Sequence, residues 1–176
     1  MYFMLVCQSP FDMEPALLSY QPDELEAGES RAWKSCKRFV TVPPNPIRVT
    51  IDEGESGVLL ELYDATIALM SRRLASELIS AGVTNLDFYE VVVDDLEAKR
   101  RYETHVAFNV VGSVTTADLT RWTAVAHDAP DFHPRATFLR LAESVNGLVV
   151  HETIRDAIEQ AGIDTLTFIQ PGEWIG

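Results

Sequence analysis

The stretch Met70-Ser-Arg-Arg-Leu74-Ala-Ser-Glu-Leu78-Ile-Ser-Ala-Gly82-Val-Thr-Asn-Leu86-Asp-Phe88 is written a second time, in altered letters, near the other end of the chain. There it reads Val150-His-Glu-Thr-Ile154-Arg-Asp-Ala-Ile158-Glu-Gln-Ala-Gly162-Ile-Asp-Thr-Leu166-Thr-Phe168. The offset is constant: 151 less 71, 162 less 82 and 168 less 88 all give 80. An apolar run precedes each copy, Ile67 to Met70 in the first and Leu148 to Val150 in the second. Each unit, about 67–89 and 148–169, therefore reads as strand, helix, strand.

The chemistry of individual positions supports that reading. Ser71 accepts hydrogen bonds from the unpaired amides of a helix start, and His151 does so less well, so each marks an N-cap. Leu74, Leu78 and Ala81, like Ile154, Ile158 and Ala161, recur every three or four residues and give each helix one face to bury. Gly82 and Gly162 fall where the chain leaves the helix left-handed, a conformation that costs glycine nothing sterically. Leu-x-Phe then alternates as a strand does. Two copies are too few for a solenoid, which needs at least three. The pattern reads as an internal duplication, or as convergence on one useful motif, inside a compact protein.

Working outward, Tyr2 to Val6 suits a buried strand. Gln8 to Ser30 carries Pro10, Pro15 and Pro22 and six carboxylates without a base, so residues 1–42 read as an acidic, proline-containing arm with the first strands. Trp33 is expected to pack that arm onto the body. Arg38 to Val42 is expected to be a strand ended by Pro43-Pro44-Asn45-Pro46. Ile47, Val49 and Ile51 form another strand with one exposed side. Residues 52–57 form a turn that lacks the alternating oxygen ligands of a calcium loop. Leu86 to Val93 and Thr104 to Val110 are strands, and the mixed charges from Asp94 to Arg101 between them read as a solvated connection. Val114 to Ala126 fits either a strand or a short helix. Phe138 to Leu141 is a strand, and Asn146-Gly147 a turn into the second repeat. Strands outnumber the two principal helices, which predicts an α+β fold with a mainly antiparallel or mixed sheet.

A chain of 176 residues, 47% apolar, can bury a sizeable core. Its 27 acidic and 14 basic residues leave a net charge of −13. Such a field repels nucleic acid and anionic lipid and draws in basic partners, and it also keeps a protein soluble. No apolar run reaches the roughly 18 residues of a membrane span. The N-terminus has no basic leader before Arg31, so a cytoplasmic protein is expected. Cys7 and Cys36 then read as reduced thiols.

The segment with the most catalytic character is His127-Asp128-Ala-Pro-Asp131-Phe-His133-Pro, two imidazoles and two carboxylates within seven residues. Those are ligand types for a transition metal, but histidines six apart share no helix face and Pro130 interrupts a strand, so a polar loop is expected. The glycine-rich phosphate loop and the nucleophile elbow are missing. No catalytic, cofactor-binding or metal-ligating residue is assigned.

The order and spacing of several motifs resemble a family of bacterial immunity proteins, number eleven of the polymorphic-toxin immunity series. They are the proline-rich entry before an alternating strand, Leu86-Asp-Phe-Tyr after Ala-Gly, and Asn109-Val-Val-Gly112. Phe138-Leu-Arg-Leu-Ala-Glu-Ser144, Leu148-Val-Val-His-Glu and Leu166-Thr-Phe-Ile complete the set. They span roughly Pro43 to Pro171, which sets the expected domain at 43–176, with His151 standing where the family pattern leads one to expect serine. The resemblance implies a cytoplasmic protein that binds and neutralises a cognate toxin, including toxins delivered by type VI secretion, without catalysis and without a cofactor. The family brings no agreed catalytic residues. The expected partner is a toxin with a basic surface, not nucleic acid or membrane, and the expected contacts are loop carboxylates Asp94, Asp95, Glu97, Asp128 and Asp131. The alternatives are a hydrolase using the His127–His133 loop, tested by turnover, and a small-ligand binder, tested by a closed apolar pocket.

Overall fold

The structure is a computed structural model. It describes residues 1–10, 12–20, 33–125, 137–144 and 146–174. The elements run β1 (Tyr2–Cys7), β2 (Leu18–Ser19), β3 (Ile47–Ile51), β4 (Leu62–Asp64), β5 (Ala68–Ser71), α1 (Arg72–Ser80), β6 (Leu86–Asp95) and β7 (Arg100–Tyr102). Then follow β8 (His105–Val110), β9 (Ser113–Val114), α2 (Thr116–Val125), β10 (Phe138–Leu141), β11 (Leu148–His151), α3 (Glu152–Gln160) and β12 (Leu166–Ile169). The fold is α+β with two mixed sheets. One sheet orders its strands β12-β1-β11-β10-β9, the other β2-β3-β6-β8-β5-β4 with β7 paired to β6.

Both repeats are present, with their caps. Ser71 Oγ accepts from the Leu74 amide at 3.0 Å, and His151 Nδ1 accepts from the Thr153 amide at 3.4 Å. At the other end Gly82 and Gly162 take positive φ, 87° and 68°. The following amides turn back onto the helix, Val83 to the Leu78 carbonyl and Ile163 to the Ile158 carbonyl, which closes each C-terminus in the same way.

The sheets carry the duplication further than the sequence offset does. β5 and β6 flank β8 and are antiparallel to it, while β11 and β12 flank β1 in the same manner. Ser71 faces His105 as His151 faces Tyr2, and Phe88 faces Phe108 as Phe168 faces Leu5. Residues of β8 thus map onto β1 at a constant offset, since 105 less 2, 108 less 5 and 110 less 7 all give 103. The middle strand follows its unit in the first half; in the second it comes from the opposite end of the chain. β4 against β5 likewise matches β10 against β11, with Leu62 facing Met70 as Phe138 faces Val150.

One core joins the halves. Its inner residues come in equivalent pairs from both sheets and both helices: Met70 and Val150, Leu74 and Ile154, Leu78 and Ile158, Val83 and Ile163, Phe108 and Leu5. Burying such side chains is worth roughly 1.5–3 kcal/mol each. The helices touch, and Arg73 donates to the Ala161 carbonyl at the end of α3. A second cluster covers the other face of the β3–β6–β8–β5 sheet, with Ala16, Tyr20 and Trp33 over Ile47, Val49, Val91 and Val93. A third places Val114 and Leu119 against Tyr2, Met4, Leu139 and Val149. Trp33 therefore packs the N-terminal segment onto the body, edge-on to Phe39 and Tyr89 at ring separations of 4.9 and 5.7 Å.

Two local expectations change and one open alternative is settled. Arg38 to Val42 is not a strand: Val40 and Val42 stand in solvent at 101% and 76% exposure, and among the described residues no strand pairs with this segment. Asp94 to Arg101, expected as a solvated connection, is exposed from Leu96 onward but is an ordered hairpin, because β6 runs on to Asp95 and pairs with β7. The ambiguous stretch after Val114 is helical, as α2. β8 is buried along its whole length because both faces of its sheet are covered. Among the described residues, no helix is long and apolar enough to cross a membrane.

Candidate functional site

Three of the five carboxylates singled out from the sequence, Asp94, Asp95 and Glu97, lie together at one end of β6, where it passes beyond the repeat. β3 pairs with β6 in parallel, setting Thr50 beside Asp94, and β7 sets Arg101 on its other side. The Asp94 carboxylate is shared between them: Oδ2 accepts from Arg48 at 3.1 Å and Oδ1 from Arg101 at 2.9 Å. Asp95 is buried at 5% exposure and its Oδ1 accepts from the Ala98 amide at 2.8 Å, which closes the hairpin turn. Glu97 is exposed and accepts from the Gly54 amide at 3.3 Å, joining the hairpin to the 52–57 turn. Asp94 and Asp95 thus hold the hairpin in shape, and Glu97 is the member that faces solvent. Asp128 and Asp131, with His127 and His133, lie outside the described residues.

Two grooves flank Leu96, which stands 72% exposed at the hairpin tip. One, of about 480 Å³, is lined by Ser19, Thr50, Ile51, Asp52, Glu53, Leu96 and Glu97. The other, of about 370 Å³, runs along Asp94, Asp95, Lys99, Arg100 and Arg101. The first holds three carboxylates and no base; the second holds two carboxylates and three bases. Asp52 and Glu53 were not singled out from the sequence, although the acidic 52–57 turn was the signal that marked them.

A second polar cluster lies where the two sheets meet. Arg140, 1% exposed, donates from both terminal nitrogens to Asp64 at 2.8 and 3.0 Å. Lys34 Nζ donates to the Asp64 carbonyl at 2.9 Å and to Asn146 Oδ1 at 2.6 Å. Beside it is a cavity of about 280 Å³ lined by Cys7, Leu62, Asp64, Asn146 and Trp174 among others. Burial pushes the Cys7 thiol pKa up, which keeps it protonated and a poor nucleophile. Cys7 and Cys36 are both free thiols.

No family model matches this chain, and no curated protein matches it.

His105 is the buried imidazole of the described residues. Its Nε2 donates to the Leu60 carbonyl at 2.8 Å, so Nδ1 accepts from the Thr104 hydroxyl at 2.9 Å. Burial pulls its pKa below the usual histidine value. The ring is a neutral strut between β8 and the segment before β4. Among the described residues, no group of three or more His, Cys, Asp or Glu side chains is placed to hold a metal ion. What the β6 end offers chemically is an exposed leucine with an acidic groove on one side and a groove of mixed charge on the other.

Proposed function

We propose that this protein is an immunity protein: it binds a cognate bacterial toxin in the cytoplasm and neutralises it by covering the surface on which the toxin acts. The observation that carries this reading is the charge of −13 on a scaffold whose two halves share one core. Long-range attraction from such a field raises the rate of encounter with a basic protein, and a rigid surface loses little entropy when it docks. The resemblance between Pro43 and Pro171 to the eleventh polymorphic-toxin immunity family supports the same reading. So do the carboxylates of Asp52, Glu53 and Glu97 that line the groove beside Leu96, which offer acceptors to basic side chains.

The test is co-expression with the toxin encoded by the adjacent open reading frame. Cells carrying both genes should grow, and the two purified proteins should form a one-to-one complex. Continued killing together with no complex would overturn the proposal. Catalytic turnover of the toxin's product by the purified protein would overturn the occlusion mechanism.

A further inference from the structure

The two halves of the fold match strand for strand as far as Tyr89 and Ile169, and the first half then adds material that the second lacks. β6 continues to Asp95, the hairpin returns through β7, and β3 and β2 extend the sheet beyond it. The larger groove is built from this addition. Ser19 comes from β2, Thr50 and Ile51 from β3, Asp52 and Glu53 from the following turn, and Leu96 and Glu97 from the hairpin. Its base is apolar, formed by Ile51, while Leu96 forms an exposed lip. The neighbouring Leu17, whose carbonyl accepts from the Asp52 amide, adds a second exposed apolar side chain.

The charges decide what fits. Among the described residues, no ion pair engages Asp52, Glu53 or Glu97, whereas the carboxylates of Asp87, Asp94 and Glu90 are each held by an arginine. The bases nearest the hairpin line the opposite side of Leu96. The groove therefore presents unneutralised acceptors around an apolar contact, the reverse of a balanced surface lattice. A lysine or arginine suits it, because a long aliphatic stem can lie on Ile51 and Leu96 while the cationic head meets Glu53 and Glu97.

We propose that this groove is the docking site for a basic segment of a protein partner, one Lys or Arg entering between Glu53 and Glu97 and an adjacent apolar side chain packing on Leu96. This rests on the binding function proposed above and gives it a surface.

The experiment uses the full chain and the blocked peptide Gly-Leu-Arg-Gly-Leu-Arg-Gly, followed by amide chemical shifts. Perturbations confined to residues 50–54 and 96–98 are expected. Leu96→Ser and the double variant Glu53→Gln with Glu97→Gln should each weaken the peptide roughly fivefold or more. Both leave the core untouched, and an unchanged melting curve verifies folding. Perturbations elsewhere, an even spread over the acidic surface, or an equal response to spermidine that ignores Leu96→Ser would overturn the proposal. A toxin that binds the native protein and the Leu96→Ser variant equally would also overturn it, while leaving the immunity reading intact. A groove that takes the peptide in a protein that binds no neighbouring toxin would leave the site standing and remove that reading.

Discussion

The first and second halves of this molecule use the same strand–helix–strand unit and diverge where that unit ends. In the first half Glu90-Val-Val-Val-Asp94 continues as strand, its valines suited to a sheet covered on both faces. In the second half Pro171-Gly172 follows almost at once; proline lacks the amide that would extend the ladder, and β12 stops at Ile169. A shared interior carries unmatched additions on both sides, β9 and α2 beside β10 in the second half and β2, β3 and β7 beside β6 in the first. The repeated parts supply the shared interior, and the addition beside β6 supplies the groove around Leu96.

The contact at the seam sharpens this comparison. Arg140 faces Leu148 in its sheet as Asp64 faces Ala68, so the two residues occupy equivalent positions and pair with each other. A residue that touches its own counterpart is what a twofold relation requires at its axis. Two identical chains would place like charges there. A single chain that carries both copies of the unit is free to place opposite ones.

Breaking that pair should have the largest effect. Arg140→Leu leaves Asp64, whose side chain is 14% exposed, without its partner, and should cost about 3–5 kcal/mol by urea denaturation. Adding Asp64→Leu should recover most of the loss. Next come Leu74→Ala and Ile154→Ala, equivalent positions both at 0% exposure. Each should cost about 2–5 kcal/mol. Because the core is shared, both should lower one cooperative transition, and hydrogen exchange that exposed only one sheet would show the halves to be independent. Gly82→Ala and Gly162→Ala should cost about 1–2 kcal/mol each, since alanine disfavours the left-handed region. At Gly82 the new methyl meets nothing within 4 Å, and at Gly162 only the end of Arg73 at 3.7 Å, so the cost is backbone strain and should be similar in both.

The smallest effect distinguishes His105 from its counterpart Tyr2. The folded protein holds His105 below its ordinary pKa of 6.5, so the unfolded chain binds the proton more readily. Its contribution is complete well above pH 6.5 and declines as the pH falls through 6.5 towards the folded value. Melting temperatures measured from pH 8 to pH 5 should fall less steeply for His105→Gln than for the native chain.

Much of the body was legible because it is local. Cap, apolar spacing and terminal glycine all lie within one helix, so Ser71 to Gly82 and His151 to Gly162 announced themselves. The strand Arg38 to Val42 was misread because alternation records only what a segment would do given a neighbour. The hairpin at Asp94 to Arg101 was misread for the complementary reason. Its charges are satisfied across strands, by Arg48 and Arg101 on either side of Asp94, and no single stretch displays both. Of the candidate contacts, the clustering of Asp94, Asp95 and Glu97 follows from their adjacency. The groove that Glu97 shares with Asp52 and Glu53 does not.

The sequence by itself determined the two helices, their termini, the strands around them and the sign of the surface charge, since each depends on residues close together in the chain. Tertiary structure alone decided that β1 completes the second half as β8 completes the first, that Asp64 meets Arg140, and which of the described carboxylates stay outside ion pairs. These are meetings between residues tens of positions apart, at offsets of 103 and 76 rather than 80, and a pattern read along the chain has no means of bringing them together.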